Sequence, residues 1–539
     1  MSDFIEPLSP YDASPPAREG GTDPRPTLYR DRSFWGMTIA QFLGAFNDSV
    51  FKQLVLLITA QVLVVSGSVV RPVDQQDIAQ AIFAIAFVMF SGVAGYWADR
   101  IRKRSIIVAA KVAEIGVMLA AVAGFAVMMP RLVTTASFSD NQVAIHIEGG
   151  SAAPIMANHA PGEFAMSEAG GGFEAVAPRD ALIGDRVLLP RTGEQPPGKV
   201  KWGDVILEKD SQTSVRLTQG IPWLLLLVVL LMGTQSAWFG PAKYGILPEM
   251  LRASDLPRVN GIFLMTTFVA VVLGFVTAGV LLDQFGDSLW KAGLVCVGIA
   301  VVGAITSLAV RPTPAAQPRA PFRLRDLGIS SDTWHMLAAD RPLCGALAVY
   351  AVFWFVAAVV PMAVNTLGLN VLELSALETS LMFSCVCIGI AVGCVLAGRL
   401  SRSTVNFAFV RIGSWGLILC LGLLAVPGLD RSGSLDFSGH LLGYYGSQVA
   451  LTIAGFFAGL FAVPLQVYIQ AKPPEAFKGR MIGTMNLVNW IAIILSAAFY
   501  FGTKALIREL ELPLYFTFAA IAVLLLPVAL LYRPANVEL

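Results

Sequence analysis

Asn47, Asp48 and Lys52 interrupt an apolar run, Phe34 to Val65, that is long enough to cross a bilayer. A charge at the centre of a membrane helix costs roughly 2.5–3.5 kcal/mol on insertion scales, while each Leu or Val returns only about 0.3–0.6. Residues held against that cost commonly bind, carry or switch something. Asp48 and Lys52 lie four apart on one helical face, so they can neutralise each other and fix the helix in a bundle, or they can form a polar site. Lys111 and Glu114, three apart in the run Ile106 to Met129, pose the same choice between an internal ion pair and a proton or ion carrier.

The elements that must position these groups follow from composition. With 539 residues, a mean hydropathy of +0.67 and only 14% charged residues, the chain reads as an all-α polytopic membrane protein. A net charge of +1 argues against a nucleic-acid partner, whose phosphates would call for clustered Lys and Arg. The six cysteines (Cys296, Cys344, Cys385, Cys387, Cys394, Cys420) fall in or beside apolar runs and form no CxxC pair. His146, His159, His335 and His440 lie far apart and give no metal-ligand spacing, so neither a metal nor a cofactor is expected. Residues 1–33 read as a disordered tail rather than a signal peptide.

Beyond the first run, apolar stretches follow at Ala79–Ala98, Ile106–Met129, Ile221–Tyr244, Gly261–Leu282, Ala292–Val310, Cys344–Val364, Leu381–Ala397, Phe407–Val426, Leu441–Val467, Met481–Phe501 and Leu514–Leu531. Together with Phe34–Val65 these predict 12 transmembrane helices, divided by a linker at 311–342 into six-helix halves at 34–310 and 343–539. Placing both termini in the cytoplasm puts Arg100, Arg102, Lys103, Arg104, Arg252, Arg258, Arg319, Arg323, Arg325, Arg399, Arg402, Lys472, Lys478 and Arg480 inside. The outer loops then hold mainly Arg71, Lys291, Arg431, Lys504 and Arg508, as the positive-inside rule prefers.

In that topology the polar segment 130–220 faces outward between helices 3 and 4. It carries weak strand signals at Val143, Ile145, Ile147 and in KVKWGDVILE, and reads as a small β-rich insert. Its GEQPPGK stretch, Gly193 to Lys199, imitates a phosphate-binding loop. Pro196 and Pro197 remove backbone donors, Val200 stands where the metal-binding hydroxyl would be, and no helical pattern follows, so it reads as a turn.

After span two comes GYWADRIRKR, Gly95 to Arg104, echoed after span eight by GRLSRSTVNF. The first stretch resembles the signature of the major facilitator superfamily, with Arg102 where a second glycine is usual. In this reading Gly95 allows a neighbouring helix to approach, and Asp99 with Arg100 latches the two halves in one state. Span four ends in FGPAKYGILPE and span ten runs through GLFAVPLQVYIQAKPPE, so Pro241 and Pro464 are expected to kink matching gating helices.

Read together, GAFNDSVFKQLVLL, FGPAKYGILPE, NGIFLMTTFVAVVLG, GLFAVPLQVYIQ and GRMIGTMNLVNW resemble the bacterial lysophospholipid transporter family within that superfamily. Ser49 replaces a second Asn common in that family, and the insert has no counterpart in its compact members. The resemblance implies a flippase that moves lysophospholipids, for example lysophosphatidylethanolamine, from the outer to the inner leaflet of the bacterial inner membrane, where a separate acyltransferase reacylates them. Such a substrate needs a cation, polar partners and an apolar flank open to membrane lipid. The candidate substrate-binding residues are Asn47, Asp48, Lys52, Lys243, Gln466, Asn486 and Asn489. Asp48, Lys111 and Glu114 are the candidates for proton or ion coupling, and for each amide the alternative is helix-to-helix glue. Two other readings are a proton- or ion-coupled exporter or symporter of a small solute, and a membrane sensor that uses the insert. An anchored sensor would have little use for so many spans or for charges within them. No enzymatic motif is evident.

Overall fold

Apolar runs of this length become helices because hydrocarbon offers no partner for a backbone N–H or C=O, and a helix satisfies both internally. The computed structural model describes residues 27–60, 62–66, 69–127, strand segments between 132 and 219, 223–251, 255–315, 328–329, 331–400, 404–429, 435–473, 475–534 and 537–538. Its long helices are α1 (Arg32–Thr59), α2 (Gln76–Arg100), α3 (Lys103–Val127), α4 (Trp223–Gly245), α5 (Leu256–Phe285) and α6 (Trp290–Ser307). They continue as α7 (Arg341–Thr366), α8 (Ala376–Leu400), α9 (Ala408–Leu423), α10 (Gly443–Ala471), α11 (Glu475–Glu509) and α12 (Thr517–Leu531). Among the described residues 11 helices are long and apolar enough to cross a membrane, and α9, apolar but shorter, is the remaining one.

Helices α1–α6 pack mainly among themselves, α1 on α5 and α6, α2 on α4, and α3 on α4 and α6. Helices α7–α12 do likewise, with α8 on α10, α9 on α10 and α12, and α7 on α11. Two seams join the groups, α2 against α11 and α5 against α8. The tightest backbone approach is α8 to α10, where a Cβ on Gly389 would sit 2.0 Å from the Thr452 carbonyl oxygen and one on Gly455 2.1 Å from that of Val386. Among the described residues a Cβ on Gly95 would meet nothing within 4 Å.

Two boundaries correct the sequence reading. The first apolar run does not stay helical to Val65: α1 ends at Thr59, and Val62–Ser66 pairs antiparallel with Val69–Val73. The β-branched residues that make the run apolar there favour an extended ribbon over a further helical turn. At the other end of the chain α11 runs to Glu509, past Phe501, and takes Lys504 and Arg508 out of the loop assigned to them.

The hairpin after α1 continues into the segment between α3 and α4. Val215–Gln219 pairs parallel with Val62–Ser66 and antiparallel with Leu132–Phe138, which is followed across the sheet by Gln142–Glu148 and Arg186–Pro190. Lys199–Trp202 and Val205–Glu208 form a separate antiparallel pair, and most of the GEQPPGK stretch lies outside the described residues.

Candidate functional site

Three helices of the first group bring their polar residues to one buried place. Asn47 on α1 is fully buried and donates through Nδ2 to Glu114 Oε1 on α3 at 2.8 Å. One helical turn back from Glu114, Lys111 reaches its other carboxylate oxygen at 2.7 Å, so these two do form the i, i+3 ion pair that their spacing allows. Both are about 1% exposed. The neighbouring Gly44 on α1 makes room for this cation, since a Cβ there would lie 2.2 Å from Lys111 Nζ.

Asp48 behaves otherwise. Among the described residues it makes no ion pair with Lys52; instead Oδ2 accepts from Ser236 Oγ on α4 at 2.5 Å. Ser236 sits 3.0 Å from the amide oxygen of Gln235, whose Nε2 stands 3.5 Å from Glu114 Oε2, so α4 ties Asp48 to the Lys111–Glu114 pair. Lys52 lies with Nζ 5.1 Å from the Phe83 ring centre on α2. Lys243, two turns along α4 from Ser236, lies 5.8 Å from the Phe239 ring, and Lys111 lies 4.8 Å from that same ring. Lys52 and Lys243 are half-buried and, among the described residues, neither has a carboxylate within salt-bridge reach. Asn47 Oδ1 is buried without a hydrogen-bond partner among the described residues.

The predicted contributors from the second group are less gathered. Asn489 on α11 is buried with Oδ1 unpartnered among the described residues, beside Trp490, which stacks on Phe87 at 3.8 Å between ring centres and meets Phe83 at 6.1 Å. This aromatic run lies along the α2–α11 seam next to Lys52. Gln466 is half-buried and Asn486 exposed, and neither reaches the cluster by a hydrogen bond among the described residues. Pro241 and Pro464 lie inside α4 and α10 without ending them. Arg100 is exposed and folds back on its own helix, with Nη1 donating to Tyr96 at 2.7 Å, while the Asp99 side chain lies outside the described residues. Among the described residues no group of three or more His, Cys, Asp or Glu is placed to hold a metal.

A second polar assembly was missed by sequence reasoning. It sits where α1 ends and α2 begins, here termed the distal end. Asp74 Oδ2 accepts from Tyr500 on α11 at 2.5 Å, from Thr366 on α7 at 2.6 Å and from Gln76 Nε2 at 3.2 Å, while Oδ1 accepts the Gln76 backbone N–H at 3.0 Å. Lys504 Nζ donates to Asp77 at 2.5 Å and to the Asp74 carbonyl at 2.7 Å. Gln53 on α1 donates to Asn365 on α7 at 2.9 Å, and Asn365 donates to Gln76 at 2.8 Å. On the far seam Asp283 of α5 caps α8, accepting from the N–H groups of Ala376 and Leu377 at 3.1 and 3.0 Å. The sequence signal was faint: Asp74 and Asp77 at the mouth of a helix, and Tyr500 and Lys504 four apart, with over 400 residues between the pairs.

Comparison with known proteins agrees with this architecture. The nucleoside transporter NupG, in a mutant form, superposes with a TM-score of 0.56 at 11% identity, covering 91% of this chain and 97% of that one. A bacterial homologue of the human lysosomal transporter Spinster gives 0.52 at 12% identity, covering 94% and 93%. Curated proteins named lysophospholipid transporter LplT, from Yersinia pestis (strain Pestoides F) and Yersinia pseudotuberculosis (serotype O:3, strain YPIII), are 26% identical over 286 residues. That match takes in 52% of this chain and spans 65% of the length of those relatives. The Major Facilitator Superfamily profile matches residues 213–497, more than half of the chain, and with the helical packing described above the protein belongs to that superfamily of membrane transporters.

Proposed function

We propose that the protein is a secondary transporter of lysophospholipids, moving them from the outer to the inner leaflet of the bacterial inner membrane by alternating access. The observation that carries this reading is the charge pattern of the α1–α3–α4 cluster. Lys111 is neutralised by Glu114, Asp48 is held by a serine, and Lys52 and Lys243 stand half-buried, without a carboxylate partner among the described residues. A phosphate could engage either cation, and Asp48 could face an ethanolamine ammonium. Among the described residues the hydrogen bonds and ion pair of the polar cluster draw on α1, α3 and α4, a concentration of polar groups that suits a headgroup. Similarity to proteins named lysophospholipid transporter LplT supports the same cargo.

In this proposal twelve spans form two halves, 34–310 and 343–539, joined by the linker 311–342. Both termini are cytoplasmic and the β-rich segment 130–220 faces outward. Asn489 contributes from the second half; Gln466 and Asn486 join only when the halves move. A separate acyltransferase consumes the delivered lysolipid. A proton- or ion-coupled transporter of a small solute is the second reading, favoured by the burial of Lys111 and Glu114.

The test is uptake of labelled lysophosphatidylethanolamine in cells lacking their own lysolipid transporter and expressing the chain or its Asp48→Asn variant. Delivery to the inner leaflet by the wild type, with loss in a variant that reaches the membrane at normal levels, is expected. Wild-type uptake no better than empty membranes, repeated with lysophosphatidylglycerol, would remove the lipid reading. Solute uptake strictly dependent on a pH gradient and indifferent to lysolipid would install the second.

A further inference from the structure

We propose that Asp74, Asp77, Tyr500 and Lys504 form a charge lock that holds the two six-helix groups together at the distal end, and that this lock must break each time the transporter opens there. The inference rests on the alternating-access part of the functional reading and not on the identity of the cargo.

Position carries the first step. Among the described residues the hydrogen bonds between side chains of α1–α6 and groups of α7–α12 gather at one end of the bundle. They run Gln53 to Asn365, Gln76 to Asn365, Met362 and Thr366, Asp74 to Thr366 and Tyr500, and Asp77 to Lys504, with the Asp283 cap on α8 across the other seam. Nearer the middle the α2–α11 seam is aromatic, Phe83 and Phe87 against Trp490. Apolar contacts exchange partners easily, whereas a buried charge parted from its partner does not. The polar end is therefore the part of the seam with the largest difference in free energy between closed and open.

Saturation carries the second step. Asp74 is 2% exposed, Gln76 0%, Thr366 1%, Tyr500 1% and Lys504 2%. The Asp74 carboxylate uses both oxygens, and the Lys504 ammonium is shared between Asp77, the Asp74 carbonyl and the face of its own helix neighbour Tyr500, 4.7 Å from the ring centre. A site kept for a ligand would leave its charged groups free; here the Asp74 carboxylate and the Lys504 ammonium are spent across the interface, and among the described residues Gln53 Oε1 is the buried atom of the network left without a partner. Lys504 is the strut, because one ammonium on α11 holds both acidic residues at the mouth of α2. The helix-end geometry adds to this, since Asp77 lies in the first turn of α2, where a negative charge is favoured.

Hydrogen–deuterium exchange on the purified full-length protein in nanodiscs tests the lock without reference to transport. In the Lys504→Met variant, amides at the start of α2, the end of α7 and the end of α11 are expected to exchange at least about tenfold faster than in the wild type. Amides at the opposite ends of the same helices should be unchanged. Lys504→Arg keeps the charge and should retain most of the protection, and the exchanged pair Asp77→Lys with Lys504→Asp should recover part of what Lys504→Met loses. Unchanged distal exchange in Lys504→Met overturns the proposal. So does uniformly faster exchange that neither Lys504→Arg nor the exchanged pair repairs, which would mark Lys504 as a general stability residue. If distal exchange rises as expected while wild-type protein moves no lysolipid, the lock stands and the cargo assignment fails.

Discussion

The two buried polar assemblies use the same kinds of residue to opposite ends. At the distal end Asp74 has partners from both helical groups, Asp77 is held from the other group by Lys504, and that ammonium reaches both acidic residues, so the network spans the interface. The α1–α3–α4 cluster stays within one group, pairs Lys111 with Glu114, and leaves Lys52, Lys243 and Asn47 Oδ1 with capacity to spare among the described residues. A network that spends its charges across an interface resists its opening, whereas one inside a single group with cations to spare waits for something to complete it. Burial alone does not distinguish these roles; the count of unused donors and acceptors does.

The largest expected effect breaks the cluster from within. Glu114→Ala leaves Lys111 buried without its carboxylate and Asn47 Nδ2 without its acceptor, and is expected to cost about 3–5 kcal/mol. Thermal unfolding of detergent-solubilised protein would show it as a large fall in Tm or loss of the monodisperse peak. The double variant Lys111→Met with Glu114→Leu, which removes both charges, should return stability close to wild type. If it does so and lysolipid uptake also survives, the pair is scaffold; if stability returns and uptake does not, the pair takes part in transport.

Next in size is Lys243→Met. With no carboxylate to leave behind, this change should leave Tm within a few degrees of wild type, and the loss should fall on substrate affinity. A charge-assisted hydrogen bond of roughly 1.5–3 kcal/mol corresponds to about a 10- to 100-fold rise in the KM for lysophosphatidylethanolamine. A fall in Tm with KM unchanged would place Lys243 with the distal residues as structure and dissolve the contrast between the two regions.

Much of this was legible in the chain, unevenly and for physical reasons. The long helices follow from runs of apolar residues, since backbone hydrogen bonding in hydrocarbon leaves few alternatives. The Lys111–Glu114 pair was readable because both residues lie on one helix face, within one turn. Asp48 and Lys52, four apart, also share one helix face yet do not pair; Ser236 on α4, 188 residues further on, offers Asp48 a hydrogen bond. Lys504 was misplaced for a related reason. A lysine just past an apolar run looks like a loop cation, and its true surroundings are set by Asp77, 427 residues earlier in the chain. Gly95 sits in the motif that carries the family likeness, but what surrounds a glycine depends on packing, and among the described residues nothing lies within 4 Å of a Cβ placed there. Local spacing thus reveals which residues are costly to bury, and only the packing reveals what repays the cost.

Tyr500→Phe makes the finest cut between the two assemblies. The ring stays, so packing at the seam and the contact beneath Lys504 are kept, while the hydroxyl's donation to Asp74 Oδ2 at 2.5 Å is lost. Thr366 and Gln76 still donate to that carboxylate oxygen, so the group is not orphaned and the cost should be only about 1 kcal/mol. In exchange measurements this corresponds to distal amides opening about five times more readily, with amides around Asn47 and Glu114 unaffected. The locality is the point. Because the distal network bridges α2, α7 and α11 through hydrogen bonds, loosening it by one hydroxyl should ease the helices apart at that end and leave the α1–α3–α4 cluster unchanged. An equal rise in both places would mean that the two regions are parts of one cooperative core, and that the difference in their unused hydrogen-bonding capacity does not divide lock from binding site.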